Sequence, residues 1–169
     1  MKVLNELNTK SKHVINNCFL EEQCDKDFLY LILDLCEETL QNLVNRSSQT
    51  DLARCAPDII RQELKGLADL HRDPNPILQR DLKPSNILGN IQGNWLLADF
   101  GISRILTEGM TTYESLSRGT EDWKAVESCS SKGMTDDSNV RYKKESDIQV
   151  TGMVAFYILT KGEHPFGEK

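Results

Sequence analysis

The sequence has no long apolar run, and this absence restricts where the chain can act. Its most apolar segments, 28–35 and 153–159, are far shorter than the roughly 20 residues that a membrane-spanning helix needs. Residues 1–20 contain no uninterrupted apolar stretch of signal-peptide length. Basic residues are outnumbered, 20 against 26 acidic residues, giving a net charge of −6. We therefore expect no membrane segment in this chain and no direct binding of nucleic acid.

Patterns for disulfides and metal sites are also missing. The five cysteines are odd in number, no two have C-x-x-C spacing, and the three histidines are scattered. This distribution argues against a zinc site. It fits reduced thiols and a cytoplasmic location. A length of 169 residues favours one domain.

Apolar periodicity and turn residues predict the following elements. Residues 1–7 have helical spacing, 14–19 form a short strand, and 28–35 form a nearly continuous buried strand. A short helix covers 39–44, and a second helix covers 57–71 with Pro57 in its first turn. A strand at 77–78 precedes a hairpin formed by 87–88 and 95–98. Residues 102–118 and 128–139 are polar and lack periodicity, and Ser146-x-x-Gln149 is a capping box that opens a further helix.

Two short motifs at a defined distance carry the functional prediction. Residues 80–86 read Arg-Asp-Leu-Lys-Pro-Ser-Asn, and Asp-Phe-Gly follows at 99–101, beyond a segment with strand-like residues. Taken singly, each motif could be an ordinary turn or cap. Together, at this spacing, they supply the groups that hold metal ions and a nucleoside triphosphate against a hydroxyl.

Each polar residue of the two motifs has a role in phosphoryl transfer, which depends on positioning and charge neutralisation. Asp81 is the candidate base, or the group that orients the acceptor hydroxyl. Lys83 can neutralise charge on the transferred phosphoryl group. Asn86 and Asp99 provide oxygen ligands for Mg²⁺, which prefers a few protein oxygens completed by phosphate and water. Gly101 lets the chain bend after the metal ligand.

With these motifs the chain resembles the C-terminal lobe of a eukaryotic protein kinase. Three further segments carry the resemblance: Gly-Thr-Glu-Asp-Trp-Lys-Ala-Val-Glu at 119–127, Ser-Asp-Ile at 146–148, and His-Pro-Phe-Gly at 164–167. Within kinases the first and last of these segments, and the stretch that begins with Leu-Asp-Leu-Cys at 33–36, are most similar to the inositol-requiring stress-sensor kinase/endoribonucleases. The resemblance implies a kinase-like α+β fold, with a mainly helical C-terminal lobe, a small β-hairpin and part of the N-terminal lobe.

The resemblance also implies ligands and regulation. ATP and Mg²⁺ would be the cofactors, with the adenine at the hinge residues Asp34 and Cys36, next to a gatekeeper, Leu33. Lys83, Asn86 and Asp99 would contact the nucleotide and its metal, and Thr120 would link Asp81 to Lys83. The Asp-Leu-Lys loop is similar to serine/threonine kinases. Arg80 would receive a phosphate from the activation segment, which offers the following hydroxyls: Ser103, Thr107, Thr111, Thr112, Ser115 and Ser117.

The implied partners are a protein substrate, or a second copy in trans-autophosphorylation, and a homodimer of a longer protein. A membrane-anchored parent would place the chain on the cytosolic face of the endoplasmic reticulum. The Asp of the 146–148 segment, Asp147, would brace the backbone of the catalytic loop.

The chain departs from the kinase pattern at several points. Gln79 replaces the His of His-Arg-Asp, and we expect its amide to keep the hydrogen bonding around Asp-Phe-Gly. Val126 replaces the Pro of Ala-Pro-Glu, and Glu127 would need an Arg found further along such domains. No Gly-rich loop or strand Lys precedes Leu33, so we expect a partial domain that is weak or inactive alone. Residues 1–35 would be the N-lobe remnant with the hinge strand, and 36–169 an incomplete C-lobe.

Two other functions fit the same sequence. In one, the chain is a pseudokinase-like scaffold whose nucleotide binding controls an attached ribonuclease module. In the other, it is a non-catalytic interaction fragment. Because Asp81, Lys83, Asn86 and Asp99 are all present, an active serine/threonine kinase is the main prediction.

Overall fold

The computed structural model describes residues 11–19, 31–129 and 139–167, so the helical spacing at 1–7 lies outside it. The helices in these ranges are α1 (Leu40–Arg46), α2 (Gln49–Leu70) and α3 (Lys144–Leu159). The strands are β1 (Asn17–Phe19), β2 (Leu31–Leu33), β3 (Cys36–Thr39), β4 (Ile77–Leu78), β5 (Ile87–Asn90), β6 (Trp95–Leu97), β7 (Arg104–Ile105), β8 (Tyr113–Leu116) and β9 (Asn139–Tyr142). None of these helices is long and apolar enough to cross a membrane.

The first two helices begin at side-chain caps. Thr39 accepts a hydrogen bond from the Asn42 amide at 3.1 Å, which confirms the short helix predicted there. The predicted start of the second helix at Pro57 is wrong, because α2 begins eight residues earlier, behind the N-cap Ser48. The buried residues Leu52 and Ala56 extend its apolar face toward the N-terminus. Pro57 therefore lies inside the helix, where one i→i−4 hydrogen bond is missing.

Helix α3 also begins earlier than the sequence predicts. It starts at Lys144, so Ser146 lies in the first turn and is not the N-cap. The Ser146 hydroxyl accepts from the Lys143 amide at 3.2 Å and donates to the Glu127 carboxylate at 2.7 Å. Gln149 accepts from the Val126 amide at 3.3 Å. Both side chains thus connect the helix to the preceding segment.

The strands form small antiparallel sheets. The predicted hairpin is confirmed, since β5 pairs with β6, and β3 adds to its other edge. The strand predicted at 77–78 is confirmed as β4, which pairs with β7, and β8 pairs with β9. Strands β7 and β8 lie in the segment 102–118, which was predicted to lack periodicity. Both are short and depend on a partner distant in sequence, so local periodicity carries no signal for them.

The strand predicted at 28–35 is confirmed at Leu31–Leu33, but its predicted burial is wrong over the described part. Strand β2 ends at Leu33 and pairs only with β1. The side chains of Ile32 and Leu33 are exposed, and Leu35 is 82% exposed. Within the described ranges, the ribbon has two strands, and these apolar side chains are in solvent.

The main core lies between α2, α3 and β6. The segment before β1 joins it through Val14 and Ile15, and the Ile15 amide donates to the Leu97 carbonyl at 3.0 Å. Gly66 of α2 allows this approach, because a Cβ there would lie 2.5 Å from the His13 carbonyl oxygen. This core supports the two loops that carry the motifs, one following β4 and one following β6.

Candidate active site

The loop after β4 is held by a carboxylate from α3. Asp147 accepts hydrogen bonds from the amides of Gln79 and Arg80, at 3.0 and 3.1 Å. His71, at the end of α2, lies 2.9 Å from the same carboxylate through its Nε2. The role predicted for Asp147, bracing the loop backbone, is confirmed. Arg80 adopts a positive φ of 71°, a strained conformation that these bonds help to hold.

The side chain of Asp81 lies at the centre of a bonded cluster. Its Oδ1 accepts from both the amide and the hydroxyl of Thr120, each at 2.9 Å. Its Oδ2 lies 3.0 Å from Lys83 Nζ and accepts from Asn86 Nδ2 at 3.1 Å. Lys83 also donates to the Thr120 hydroxyl at 2.7 Å, so the predicted link between Asp81 and Lys83 is present. Both oxygens of the carboxylate are therefore fixed in direction.

Gly119 allows the Thr120 segment to reach this cluster. Its φ is +96°, and a Cβ at this position would lie 2.7 Å from the Arg80 carbonyl oxygen and 3.5 Å from Asp81 Oδ1. Only glycine meets both conditions without strain. The sequence signal for this contact was the Gly-Thr pair at 119–120, although its geometric reason appears only in the fold.

Gln79 joins the two loops, as predicted from its position. Its Nε2 donates to the carbonyls of Ala98 and Asp99, at 3.0 and 3.1 Å, and its Oε1 accepts from the Asp81 amide at 2.6 Å. The side chain is completely buried. A neutral amide thus occupies the position between the two motifs and satisfies three backbone groups there.

The two predicted metal ligands are placed by the β5–β6 hairpin. Asn86 is buried, and its Nδ2 donates to the main chain and side chain of Asp81. Its main-chain carbonyl accepts from the Ala98 amide at 2.9 Å. Asp99 follows β6 with a positive φ of 59°, and its exposed side chain accepts from the Gly101 amide at 3.2 Å. Phe100 is buried in the core. Within the described ranges, no group of three or more His, Cys, Asp or Glu side chains could hold a metal.

The predicted hinge residues lie in the segment that leads into β3, and β3 contacts the Pro84–Asn86 turn of the catalytic loop. Asp34 and Leu35 occupy the connection between β2 and β3, and the Asp34 carboxylate accepts from the Asn16 amide at 3.1 Å. Cys36 begins β3 opposite Asn90 and is half-buried. Burial raises the pKa of its thiol, with a smaller contribution from Asp34. Among the interactions of the described residues, no hydrogen bond or ion pair joins Asp34 or Cys36 to Asp81, and adenine binding here stays a prediction.

Several contacts around the site were not anticipated. Trp123 packs edge-on against Tyr157 of α3 and His164, with ring centroids 5.7 and 5.1 Å apart. Tyr142 of β9 stacks on the Arg80 guanidinium. The partners in each pair are far apart in sequence and are not related by helical or strand spacing. A single sequence therefore contains no signal that would predict these contacts.

Glu127 has a different partner from the expected Arg. It accepts from Ser146 at 2.7 Å and lies 3.7 Å from Lys143 Nζ. Burial acts to raise the pKa of Glu127, but the hydrogen bond from Ser146 and the charge of Lys143 outweigh it and lower the pKa.

Comparison with known proteins gives the same assignment as the geometry. The family model described as a protein kinase domain matches residues 1–169. A serine/threonine-protein kinase/endoribonuclease, ireA of Aspergillus fumigatus, is 31% identical, over 88% of this chain and 16% of its own length. IRE2 of Homo sapiens, with the same description, is 36% identical over 83% of the chain and 15% of its own length. The ire-1 protein of Caenorhabditis elegans is 32% identical over 92% and 16%.

The chain therefore spans less than a fifth of each of these relatives. Their descriptions confirm the resemblance to kinase/endoribonucleases that the motifs indicated.

Proposed function

The chain belongs to the protein kinase family, and on that premise we propose that it transfers the γ-phosphate of ATP to serine or threonine hydroxyls of proteins. The observation that carries the proposal is the cluster of Asp81, Lys83 and Thr120, in which every polar side-chain atom is aligned by a hydrogen bond or ion pair. Such preorganisation is the main contribution that a protein makes to phosphoryl transfer.

Asp81 would orient the acceptor hydroxyl and accept its proton as the new P–O bond forms. Because Oδ1 is held by Thr120 and Oδ2 by Asn86, the carboxylate cannot rotate freely. Lys83, 3.0 Å away, would place its positive charge beside the transferred group.

The donor set fits a magnesium nucleotide. The Asn86 amide nitrogen is committed to Asp81, which leaves its oxygen as a ligand, and Asp99 offers an exposed carboxylate. Two protein oxygens suit Mg²⁺, which takes the rest of its ligands from phosphate and water. When bound, the metal would neutralise phosphate charge. We propose the backbone of Asp34 and Cys36 as the adenine site.

The relatives' descriptions suggest the setting in which this activity would operate. They are named serine/threonine-protein kinase/endoribonucleases. We propose that this chain acts beside a ribonuclease module in a longer stress-sensing protein. Its substrate would be another protein or a second copy of itself, within a homodimer.

The decisive experiment changes Asp81 to Asn in the longest natural protein that contains this chain. Incorporation of labelled phosphate from ATP into the protein and into a serine-containing peptide is measured. Loss of the proton-accepting carboxylate is expected to lower kcat about 10²–10⁴-fold. Asp69→Asn is the matched control, since Asp69, near the end of α2, is paired with Arg72 and lies outside the proposed site, and it should retain activity. Retained phosphotransfer in Asp81→Asn would refute the proposal.

We propose Ser115 as the activation-segment hydroxyl whose phosphate Arg80 would receive. Of the six hydroxyls in the segment, Ser115 is the one that Arg80 contacts, with Nη2 to Oγ at 3.0 Å. Phosphosite mapping of active protein is expected to find Ser115 modified, and the modification should disappear in Asp81→Asn. Mapping that finds the other hydroxyls modified and Ser115 unmodified would contradict this assignment.

A further inference from the structure

Arg80 is a buried cation with no carboxylate partner among the described residues. It is 6% exposed, and its guanidinium carries a full positive charge. Its guanidinium donates to the Ile102 carbonyl and to the Ser115 hydroxyl, both at 3.0 Å. Its Nε has no hydrogen-bond partner in the described part of the chain. Two neutral acceptors do not balance a full buried charge, so another group must offset it.

Two aromatic rings supply that compensation. The guanidinium carbon of Arg80 lies 3.9 Å from the ring centroid of Tyr142 and 5.1 Å from that of Tyr113. Both distances fall within the range of favourable cation–π contacts. Tyr113 and Tyr142 are directly paired in the β8–β9 ribbon, and cross-strand partners share one face of a sheet. The ribbon therefore presents two ring faces to one cation.

Tyr142 also holds the activation segment through its hydroxyl. Its Oη accepts from the Arg118 amide at 2.6 Å and donates to the Arg118 carbonyl at 3.0 Å. Gly119 and Thr120 follow directly, and Thr120 is bonded to Asp81. The ring of Tyr142 is thus connected to the catalytic cluster at two points, through Arg80 on one side and through Thr120 on the other.

We propose that Tyr142 is a positioning residue that, with Tyr113, stabilises the buried charge of Arg80 in the unmodified chain. In this way it orders the activation segment without a phosphate. This inference rests on the proposed kinase function. It deepens that function by stating how the site is assembled before any modification. Its consequence is conditional: a negative group at residue 115 adds little while the rings are present, and becomes necessary once Tyr142 is lost.

The surrounding charge supports the same picture. Tyr113 is also contacted by Arg104, whose guanidinium carbon lies 5.7 Å from the ring centroid and whose Nε donates to the hydroxyl at 3.2 Å. That hydrogen bond, with the charges of Arg104, Arg80 and Arg118, lowers the pKa of Tyr113. The ribbon thus lies in a positive field, in which an electron-rich ring face is favourable.

The test compares Tyr142→Leu with Tyr142→Phe in the full-length protein, each with Ser115→Ala or Ser115→Glu. In the Ser115→Ala background, Tyr142→Leu is expected to lower kcat about tenfold relative to Tyr142. Tyr142→Phe, which keeps the ring face, should lose less. Ser115→Glu should restore most of the activity of Tyr142→Leu and change that of the Tyr142 protein less than about twofold.

Val140→Ala is the matched control for packing. Val140 is buried in the same cluster as Tyr142 and has no contact with the Arg80 guanidinium among those described. It should lower stability without gaining activity from Ser115→Glu. Equal rescue of Val140→Ala and Tyr142→Leu, or no rescue of either, would mean that Tyr142 only fills space, and would overturn the proposal.

A second readout does not depend on catalysis. Hydrogen exchange of the amides at 113–118 is measured in an Asp81→Asn background. Tyr142→Leu should speed this exchange, and Ser115→Glu should slow it again. Unchanged exchange in Tyr142→Leu would overturn the proposed role of the ring. If the unsubstituted protein shows no phosphotransfer but the exchange pattern holds, the kinase proposal fails. The proposed cation–π stabilisation of Arg80 then still stands.

Discussion

At the scale of single residues, the catalytic cluster depends on Gly119, which has no side chain, as much as on the polar side chains themselves. The Asp81 carboxylate is aligned by Thr120, and Thr120 is brought into place because Gly119 passes close to the Arg80 carbonyl. Positive φ at Gly119 and the close backbone contact are separate requirements. Another glycine of the chain meets the first requirement alone, which allows the two to be measured separately.

We predict that Gly119→Ala disrupts the site more than Gly109→Ala. Both residues have positive φ, +96° and +81°, so both substitutions carry the conformational cost of about 1–2 kcal/mol. Only at 119 would the new Cβ meet another atom, the Arg80 oxygen at 2.7 Å, whereas nothing lies within 4 Å at 109. Phosphotransfer kinetics and thermal unfolding measure the difference. Equal effects of the two substitutions would show that the contact with Arg80 is unimportant.

The sequence predicts the polar residues of the catalytic loop because they lie within a few residues of one another. Asp81, Lys83 and Asn86 lie in one loop, and Gln79 lies at its entrance, so their mutual contacts follow from a few backbone angles. The stacking of Tyr142 on Arg80 could not be predicted in this way. It depends on how the β8–β9 ribbon packs against the catalytic loop, which is a property of the fold.

At the scale of elements, helices were predicted better than strands. The spacing of apolar residues predicts the buried face of α2, but Pro57 predicts a helix start there, whereas burial continues through Leu52 toward the cap at Ser48. Strands β7 and β8 were missed, because two to four residues do not establish a period and their stability comes from partners elsewhere.

We predict that Pro57→Ala stabilises the domain. Pro57 is exposed inside α2, so no packing is lost, and alanine restores an amide donor to the helix. The gain in unfolding free energy should be on the order of 1 kcal/mol or more, read as a higher denaturant midpoint. Ala53→Gly, at an exposed position one turn earlier, should lower it by about 1 kcal/mol. A destabilised Pro57→Ala variant would mean that the proline bends α2 usefully around the core.

At the scale of the whole molecule, the contact between α2 and α3 is central to the fold. It carries the main core, and through Asp147 it fixes the catalytic loop. One carboxyl group lies in this contact without a counter-charge. Glu63 of α2 is 1% exposed, and neither of its oxygens has a hydrogen-bond partner among the described residues. Thr151 lies near it, but its hydroxyl donates to the Asp147 carbonyl at 3.1 Å.

This carboxyl group should make the stability of the domain fall as the pH rises. Burial raises the pKa of Glu63 to about 8, against an ordinary value of 4.5, and the nearby Thr151 lowers it only slightly. The folded chain therefore holds a proton that the unfolded chain releases above pH 4.5. The stabilisation is complete below that pH and is lost as the pH approaches about 8.

Glu63→Gln, which cannot ionise, should remove this slope and raise the unfolding free energy at pH 8 by a few kcal/mol, on the order that such a pKa shift implies. Glu108→Gln, at an exposed loop position, should leave the slope in place. Denaturant unfolding of the three proteins between pH 5 and 8.5 measures both quantities, and parallel profiles for Glu63→Gln and the unsubstituted chain would show that Glu63 is ionised in the folded state with a partner that offsets its burial.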